Sequence, residues 1–175
     1  VYGAHTPQLL QAYRTAQPQA TAAEIFVAIS SIAMMGIGSI EIAEQKARQQ
    51  GAPVYLYNFG YKSEKLIPGT DYPMGTPHAM DITFKFNNER APEDGSTAKE
   101  SFFGGNRSER FQASYNFAAL WTAFAKTSIP SVHGLPQWPA YNLSTRATMR
   151  IAEQCTVISN RYSTELAAWR EMGWL

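Results

Sequence analysis

The sequence predicts an α/β fold in which helices flank a mostly parallel sheet. A long helix with a clear start signal precedes residues 53–59, a run rich in β-branched and aromatic residues, and helix followed by strand across a short loop is typical of α/β proteins. A second apolar helix is predicted at residues 109–126, and two short strand-like runs follow it. Of the 175 residues, 45% are hydrophobic and 17% are charged, a balance that can form a buried core.

The first two helices are predicted from their start signals. A short helix is expected around residues 7–13, with Pro7 in its first turn. Thr21 and Glu24 fit a capping box, so a longer helix should begin at the residue after Thr21. The first half of this helix is apolar over a broad arc, and we expect it to be buried.

The second half of the long helix is predicted to be amphipathic. Glu44 and Arg48 are four residues apart and should form a pair on a solvated face. Gly51 and Pro53 then follow in the order that usually ends a helix. Residues 53–59 come next and are predicted to be a buried strand of the sheet.

The rest of the chain is predicted to be a long irregular segment and four further elements. Residues 60–108 are rich in proline and glycine and are expected to lack regular structure, with residues 87–100 exposed. The helix at residues 109–126 is apolar nearly all round, which predicts that it lies between two layers. The remaining elements are strands at residues 147–151 and 156–158 and a closing helix at residues 164–172.

Composition excludes several classes of function. The formal net charge is +1 and the basic residues are scattered, so a nucleic-acid partner is not expected. Cys155 is the single cysteine, so no internal disulfide can form, and we expect a buried side chain. The apolar run at residues 25–40 is interrupted by Ser and Gly, so no membrane span is expected. Gly36-Ile37-Gly38 lacks the third glycine of a phosphate-binding loop, and no cofactor is predicted.

Three histidines are the candidates for acid–base chemistry: His5, His78 and His133. None has another His or Cys at the spacing of metal ligands, so no metal site is predicted. His5 and His133 are interpreted as surface or loop residues. His78 lies in a loop after the predicted strand, where α/β proteins present reacting groups. From the residues alone two interpretations stay open: a general base, or a loop histidine held by Asp81 or a backbone carbonyl.

Four segments of the chain combine into a recognisable pattern. They are residues 53–59 (Pro-Val-Tyr-Leu-Tyr-Asn-Phe), residues 75–81 (Gly-Thr-Pro-His-Ala-Met-Asp), residues 117–127 (Phe-Ala-Ala-Leu-Trp-Thr-Ala-Phe-Ala-Lys-Thr) and residues 135–141 (Leu-Pro-Gln-Trp-Pro-Ala-Tyr), the last with its continuation Ala147-Thr148-Met149. Their order and types resemble the C-terminal part of the type-B carboxylesterases, which belong to the carboxylesterase/lipase and cholinesterase-like family of α/β-hydrolases. The resemblance extends over residues 20–172.

This resemblance implies a fold, an activity and a role for His78. Residues 1–175 are expected to be the C-terminal segment of a single α/β-hydrolase domain, which is incomplete in this chain. The implied activity is hydrolysis of a small-molecule carboxylic ester by Ser-His-acid covalent catalysis, with His78 as the catalytic histidine. Aromatic side chains such as Phe84, Phe86 or Trp138 could contribute to the ester pocket.

The chain departs from the family pattern at three points. Ala79 stands where a glycine is common after the histidine, and Ser128 stands where a glycine is common after the helix. The third departure is the absence of a G-x-S-x-G elbow, which holds the nucleophile in this fold. Because the triad order is serine, acid, histidine, both missing members are expected in an N-terminal portion that precedes Val1. We therefore expect the isolated chain to be inactive.

Two other interpretations compete with the enzyme. One is a non-catalytic binding or adhesion domain of the cholinesterase-like kind, in which the triad has been lost. The other is a small independent α/β domain of unrelated function. The presence of His78 in the expected loop favours the enzyme, and the few predicted strands weigh against the independent domain, because a sheet this short would leave apolar edges exposed.

Overall fold

The computed structural model describes residues 2–89, 101 and 103–175, and the chain divides into two compact units. The first unit is Val1–Leu56, Ala140–Ala147 and Ser159–Leu175, and the second is Tyr57–Pro139 and Thr148–Ile158. The elements after a short 3-10 turn at Gly3–His5 are, in order, α1 (Thr6–Ala16), α2 (Ala22–Ser31), a π-helical turn (Ile32–Gly36), α3 (Ile37–Gln49), β1 (Leu56–Phe59), β2 (Ser63–Leu66), β3 (Pro73–Gly75), α4 (Met80–Lys85), α5 (Glu109–Thr127), β4 (Thr148–Ile151), β5 (Thr156–Ile158) and α6 (Ser163–Glu171).

The long helical segment of the first unit begins as predicted. The amide N–H of Glu24 donates to the hydroxyl oxygen of Thr21 at 3.2 Å, and the amide of Thr21 donates to the Glu24 carboxylate at 2.8 Å. This reciprocal pair satisfies two amide donors that a helix N-terminus otherwise leaves without partners. The π-helical turn joins α2 to α3, and α3 ends where Gln50 adopts a left-handed conformation with φ of 51°.

The core of the first unit forms where α1 packs against α6. Tyr13 and Trp169 are fully buried, and the indole N–H of Trp169 donates to the Tyr13 hydroxyl at 3.0 Å. This hydrogen bond offsets the cost of burying two polar groups among apolar side chains. Leu9, Ile25 and Ile29 belong to the same core. The first and last α-helices of the chain are thereby connected through one buried aromatic pair.

Glu44 is a buried carboxylate, although the sequence predicted a solvated one. It is only 5% exposed, and three guanidinium groups surround it: Arg170 at 2.7 Å, Arg48 at 2.9 Å and Arg146 at 3.2 Å. Burial by itself raises the pKa of Glu44, but the hydrogen bond from Arg146 and the charge of Arg170 outweigh burial, and the pKa lies below its ordinary value. The predicted pair with Arg48 is confirmed as one part of this cluster.

The helical segment Ala22–Gln49 has a second apolar face that the described residues leave exposed. Its side chains recur at intervals of about two helical turns and are between 54% and 78% exposed: Phe26, Val27, Met34, Met35 and Ile42. We call these five residues the exposed stripe. The predicted burial of the first half is confirmed for the opposite face, which includes Ile25 and Ile29, and is wrong for the stripe, because the unit supplies a neighbour to one face only.

The same segment is long and apolar enough, by length and composition, to cross a membrane. It is the one helix of this kind in the described part of the chain, and 28% of its most apolar window is buried. A core helix of a larger domain passes the same test, so a single such helix is weak support for a membrane span. The expectation that no span is present stays a prediction.

The second unit contains a three-stranded sheet in the order β1-β4-β5. Strands β4 and β5 pair antiparallel, with Thr148 opposite Ile158. Directly after β1, the amide of Gly60 donates to the carbonyl of Ile151 in β4 at 2.8 Å. All three predicted strands are present, although the first begins only at Leu56.

The segment predicted to be irregular, residues 60–108, contains regular elements in its described part. Strands β2 and β3 form an antiparallel pair, with Ser63 opposite Gly75, and α4 follows. Strand β3 was not predicted because it contains proline and glycine, which usually indicate turns. Pro73 is its first residue and Gly75, with φ of 64°, is its last, and these residues are tolerated at the two ends of a strand. Residues 90–100, within the stretch that the sequence predicts to be exposed, lie outside the described residues.

Helix α5 covers an aromatic core in the second unit. The rings of Phe59 and Phe117 lie 5.4 Å apart, and those of Phe59 and Phe84 lie 4.9 Å apart. The sequence predicted burial of α5 on all sides, and this is wrong at two places. Tyr115, on the side of the helix opposite Phe117, is 60% exposed, and Trp121 and Phe124, near its C-terminal end, are 40% and 45% exposed. A helix that is apolar all round needs cover on both sides and along its whole length, which the described residues do not supply.

Candidate active site

His78 lies in the connection between β3 and α4, residues 76–79. Its side chain is exposed, and no hydrogen bond or ion pair joins it to any other described residue. Asp81, one of the two partners that the sequence suggested for the histidine, forms an ion pair with Lys85 at 2.8 Å, one helical turn ahead. The imidazole therefore faces solvent, at the end of a short turn, without a carboxylate partner among the described residues.

The backbone on the N-terminal side of His78 is attached to the sheet. The hydroxyl of Thr76 donates to the carbonyl oxygen of Tyr61 at 2.5 Å. Tyr61 is 2% exposed, and its phenol hydroxyl donates to the carbonyl of Gly104 at 2.9 Å. Burial raises the pKa of Tyr61 to about 12, so the phenol stays protonated and keeps donating this bond at neutral pH. Thr76 was not singled out in the sequence, and its one signal there is a hydroxyl two residues before the histidine.

The backbone on the C-terminal side of His78 is attached to the core through α4. Met80 and Phe84 are fully buried, and the amide of Met80 donates to the carbonyl of Pro77 at 3.2 Å. The hydroxyl of Ser114 in α5 donates to the carbonyl of Phe84 at 3.1 Å. The histidine turn is thus held at both ends while the His78 side chain projects to solvent.

The other residues proposed from the sequence do not join His78 in a site. His5 and His133 are exposed and lie in other parts of the chain. Of the three aromatic residues suggested for an ester pocket, Phe84 and Trp138 are buried in the core, while Phe86 is exposed. Phe84 is buried because its stretch forms α4, whose inner face packs on α5. What the described residues offer chemically is one positioned imidazole, suited to transfer protons to and from a group supplied elsewhere.

Comparison with known proteins identifies the family. A model of the carboxylesterase family matches residues 4–169. The chain belongs to the carboxylesterase family. Para-nitrobenzyl esterase of Bacillus subtilis (strain 168) is 28% identical to it over 116 residues, which are 66% of this chain and 21% of that protein. Liver carboxylesterase 1 of Oryctolagus cuniculus is 26% identical over 154 residues, which are 85% of this chain and 24% of that protein.

Solved structures of esterases share the fold. The carboxylesterase EST55 of Geobacillus stearothermophilus matches with a TM-score of 0.68 and 28% identity, over 93% of this chain and 31% of that one. An esterase of Clostridium hathewayi has a TM-score of 0.64 and 22% identity, over 96% and 30%, and supports the fold alone. The predicted family and the predicted partial α/β-hydrolase fold are confirmed. The chain spans less than a third of each of these four relatives.

Both positions where this carboxylesterase chain lacks a common glycine have a left-handed backbone. Ala79, beside the histidine, has φ of 67°, and Ser128, after α5, has φ of 61°. A side chain at such a position brings Cβ close to the following carbonyl oxygen, and glycine avoids that strain. The two substitutions noticed in the sequence therefore mark two sites of backbone strain, one of them adjacent to His78.

Restoring glycine at either position is expected to stabilise the protein. Ala79→Gly and Ser128→Gly should each raise the free energy of unfolding by about 0.5–1 kcal/mol, because relief of strain outweighs the added entropy of the unfolded chain. Urea titration of the purified protein measures the change. Ala118→Gly in the interior of α5 is the control and should lower stability by about 1 kcal/mol. Equal losses in all three variants would contradict the strain.

Proposed function

We propose that this chain is the part of a carboxylic ester hydrolase that supplies the histidine, His78, of a Ser-His-acid triad. The observation that carries the proposal is the carboxylesterase family match over residues 4–169, which includes a histidine on the turn between β3 and α4. The exposure of His78 supports the role, because a general base must reach a proton on another group. The attachments of the turn at both ends support it further, because catalysis needs a fixed geometry.

In the proposed reaction His78 moves one proton in each half of the cycle. It takes the proton of a serine hydroxyl as the serine oxygen attacks the ester carbonyl, and it gives that proton to the leaving alcohol as the ester C–O bond breaks. It then takes a proton from water as the water oxygen attacks the acyl-serine, and returns the proton to the serine as the carboxylic acid departs. A carboxylate orients the imidazole and stabilises its protonated form.

The serine, the acid and the oxyanion donors are proposed to lie in an N-terminal portion of the same protein. The 175 residues contain no G-x-S-x-G elbow, and the chain spans a fifth to a third of the relatives described above. The exposed stripe in the first unit also supports this partner. Contiguous apolar side chains on a surface often contact another surface instead of water.

The test compares the full-length protein with the 175-residue chain alone. The full-length protein should hydrolyse p-nitrophenyl acetate, and a fluorophosphonate probe should label one serine outside residues 1–175. The chain alone should do neither. Hydrolysis by the chain alone that His78→Ala abolishes would contradict the placement of the nucleophile. A folded full-length protein that neither hydrolyses the ester nor reacts with the probe would favour the non-catalytic binding domain instead.

A further inference from the structure

The connection that carries His78 is short, and its fixed points are known. It leaves β3 after Gly75 and enters α4 at Met80. On the α4 side the attachment is hydrophobic, because Met80 is fully buried. On the β3 side the attachment includes a side-chain hydrogen bond, from the Thr76 hydroxyl to the carbonyl of Tyr61 at 2.5 Å.

The residue that accepts this hydrogen bond belongs to a buried, hydrogen-bonded part of the second unit. Tyr61 follows Gly60, whose amide donates to the Ile151 carbonyl at 2.8 Å and whose carbonyl accepts from the Arg150 guanidinium at 2.6 Å. Tyr61 itself is buried, and its ring packs on Phe84 with centroids 5.1 Å apart. The Thr76 hydroxyl therefore connects the histidine turn to the end of β1, next to β4 in the sheet.

The backbone between Thr76 and His78 has little freedom, because the Pro77 carbonyl also accepts the amide of Met80 at 3.2 Å. The one intervening residue is Pro77, whose ring fixes φ near −65°. Because the backbone between the two residues has little torsional freedom, a displacement of Thr76 would also displace His78. Ala79 on the other side is already in the strained left-handed region, with φ of 67°, which is a conformation that persists only where its surroundings hold it.

We propose that Thr76 is a positioning residue for His78: its hydroxyl holds the imidazole at the place from which it reaches the serine. This inference rests on the proposed function. In this role Thr76 acts through His78, so its loss misplaces the general base and leaves ester binding intact. Loss of the Thr76 hydroxyl should therefore lower kcat and leave KM unchanged, since kcat depends on the alignment of the reacting groups.

The experiment uses Thr76→Val and Thr76→Ser in the full-length protein. Valine keeps the shape and removes the hydroxyl, whereas serine keeps the hydroxyl. Because Thr76 is exposed, neither change opens a cavity in the core. With p-nitrophenyl acetate, Thr76→Val should lower kcat about tenfold with KM within about twofold of wild type, and Thr76→Ser should stay within about threefold in kcat. Melting temperatures of both variants should stay close to that of wild type.

Thr70→Val is the matched control, since the Thr70 hydroxyl also donates to a backbone carbonyl, that of Ile67 at 3.0 Å, in the loop between β2 and β3. This variant should keep the wild-type kcat. A wild-type kcat in Thr76→Val, or equal losses in the valine and serine variants, would overturn the inference. Including His78→Ala separates the two proposals: if that variant is inactive while Thr76→Val is normal, the proposed function stands and the positioning role fails. A fully active His78→Ala variant would contradict both the proposed function and the positioning role of Thr76.

Discussion

Replacing His78 with alanine is expected to lower the kcat of the full-length protein on a simple aryl ester by about 10⁴- to 10⁶-fold. Without the imidazole, the proposed serine keeps its proton and the leaving alcohol has no general acid. KM should change little, because the proposed role of His78 is in proton transfer and not in binding the ester. Steady-state kinetics with p-nitrophenyl acetate measures both constants.

The controls for this prediction are the two other histidines. His5→Ala and His133→Ala remove exposed imidazoles elsewhere in the chain and should leave kcat within about twofold of wild type, as surface substitutions usually do. Circular dichroism of each variant checks that it is folded. A His78→Ala protein that retains wild-type turnover would exclude His78 as the general base, whatever the family of the chain.

Replacing Glu44 with glutamine is expected to lower the free energy of unfolding by about 3 kcal/mol, since breaking a buried ion pair leaves its partners without compensation. Three guanidinium groups approach this one carboxylate, those of Arg48, Arg146 and Arg170. In the glutamine variant they would face one another without the negative charge. All three are partly exposed and can recover some hydration, which keeps the loss below the upper end of the usual range. Urea unfolding of the full-length protein measures it.

The stabilisation by Glu44 is also expected to depend on pH. Its pKa in the folded protein is lowered, so the unfolded chain, with a pKa of about 4.3, takes up the proton first as pH falls. The contribution is complete above about pH 5 and is lost as pH falls through the folded pKa. Stability of the wild type should therefore decline more steeply in acid than stability of Glu44→Gln.

Glu41→Gln is the matched control for Glu44→Gln. It removes the same charge from the same helix, but Glu41 is exposed, and among the described residues its carboxylate accepts one hydrogen bond, from Gln45 at 3.1 Å. It should cost no more than about 0.5 kcal/mol. Equal losses in the two variants would show that the arginine cluster has no special stabilising role.

Several elements could be predicted because their signals are local. The capping box of Thr21 and Glu24 requires only residues three apart, and the two amide–side-chain bonds formed as expected. The strands at β4 and β5 follow from short runs of β-branched residues. Strand β3 was missed because proline and glycine at its two ends look like turn signals, and the positions that tolerate them are visible only once the strand is paired.

The candidate site divides in the same way. His78 could be singled out because its motif is contiguous and stands in order with other family segments along the chain. The unusual residues Ala79 and Ser128 could also be noticed in the sequence. Glycine is common at these positions because the backbone has a positive φ, which the sequence does not show. Thr76 acquires its importance from Tyr61, a carbonyl fifteen residues away across the β2–β3 pair.

By itself, the sequence determined the family, the α/β class, the order of most elements and the histidine on which the proposed chemistry rests. Only the tertiary structure decided that Glu44 is buried among arginines up to 126 residues away, that no described residue covers the exposed stripe, and that the histidine turn is attached at both ends. The physical reason is range. Capping, periodicity and motifs depend on neighbours along the chain, whereas burial, charge pairing and positioning depend on which distant segments meet when the chain folds.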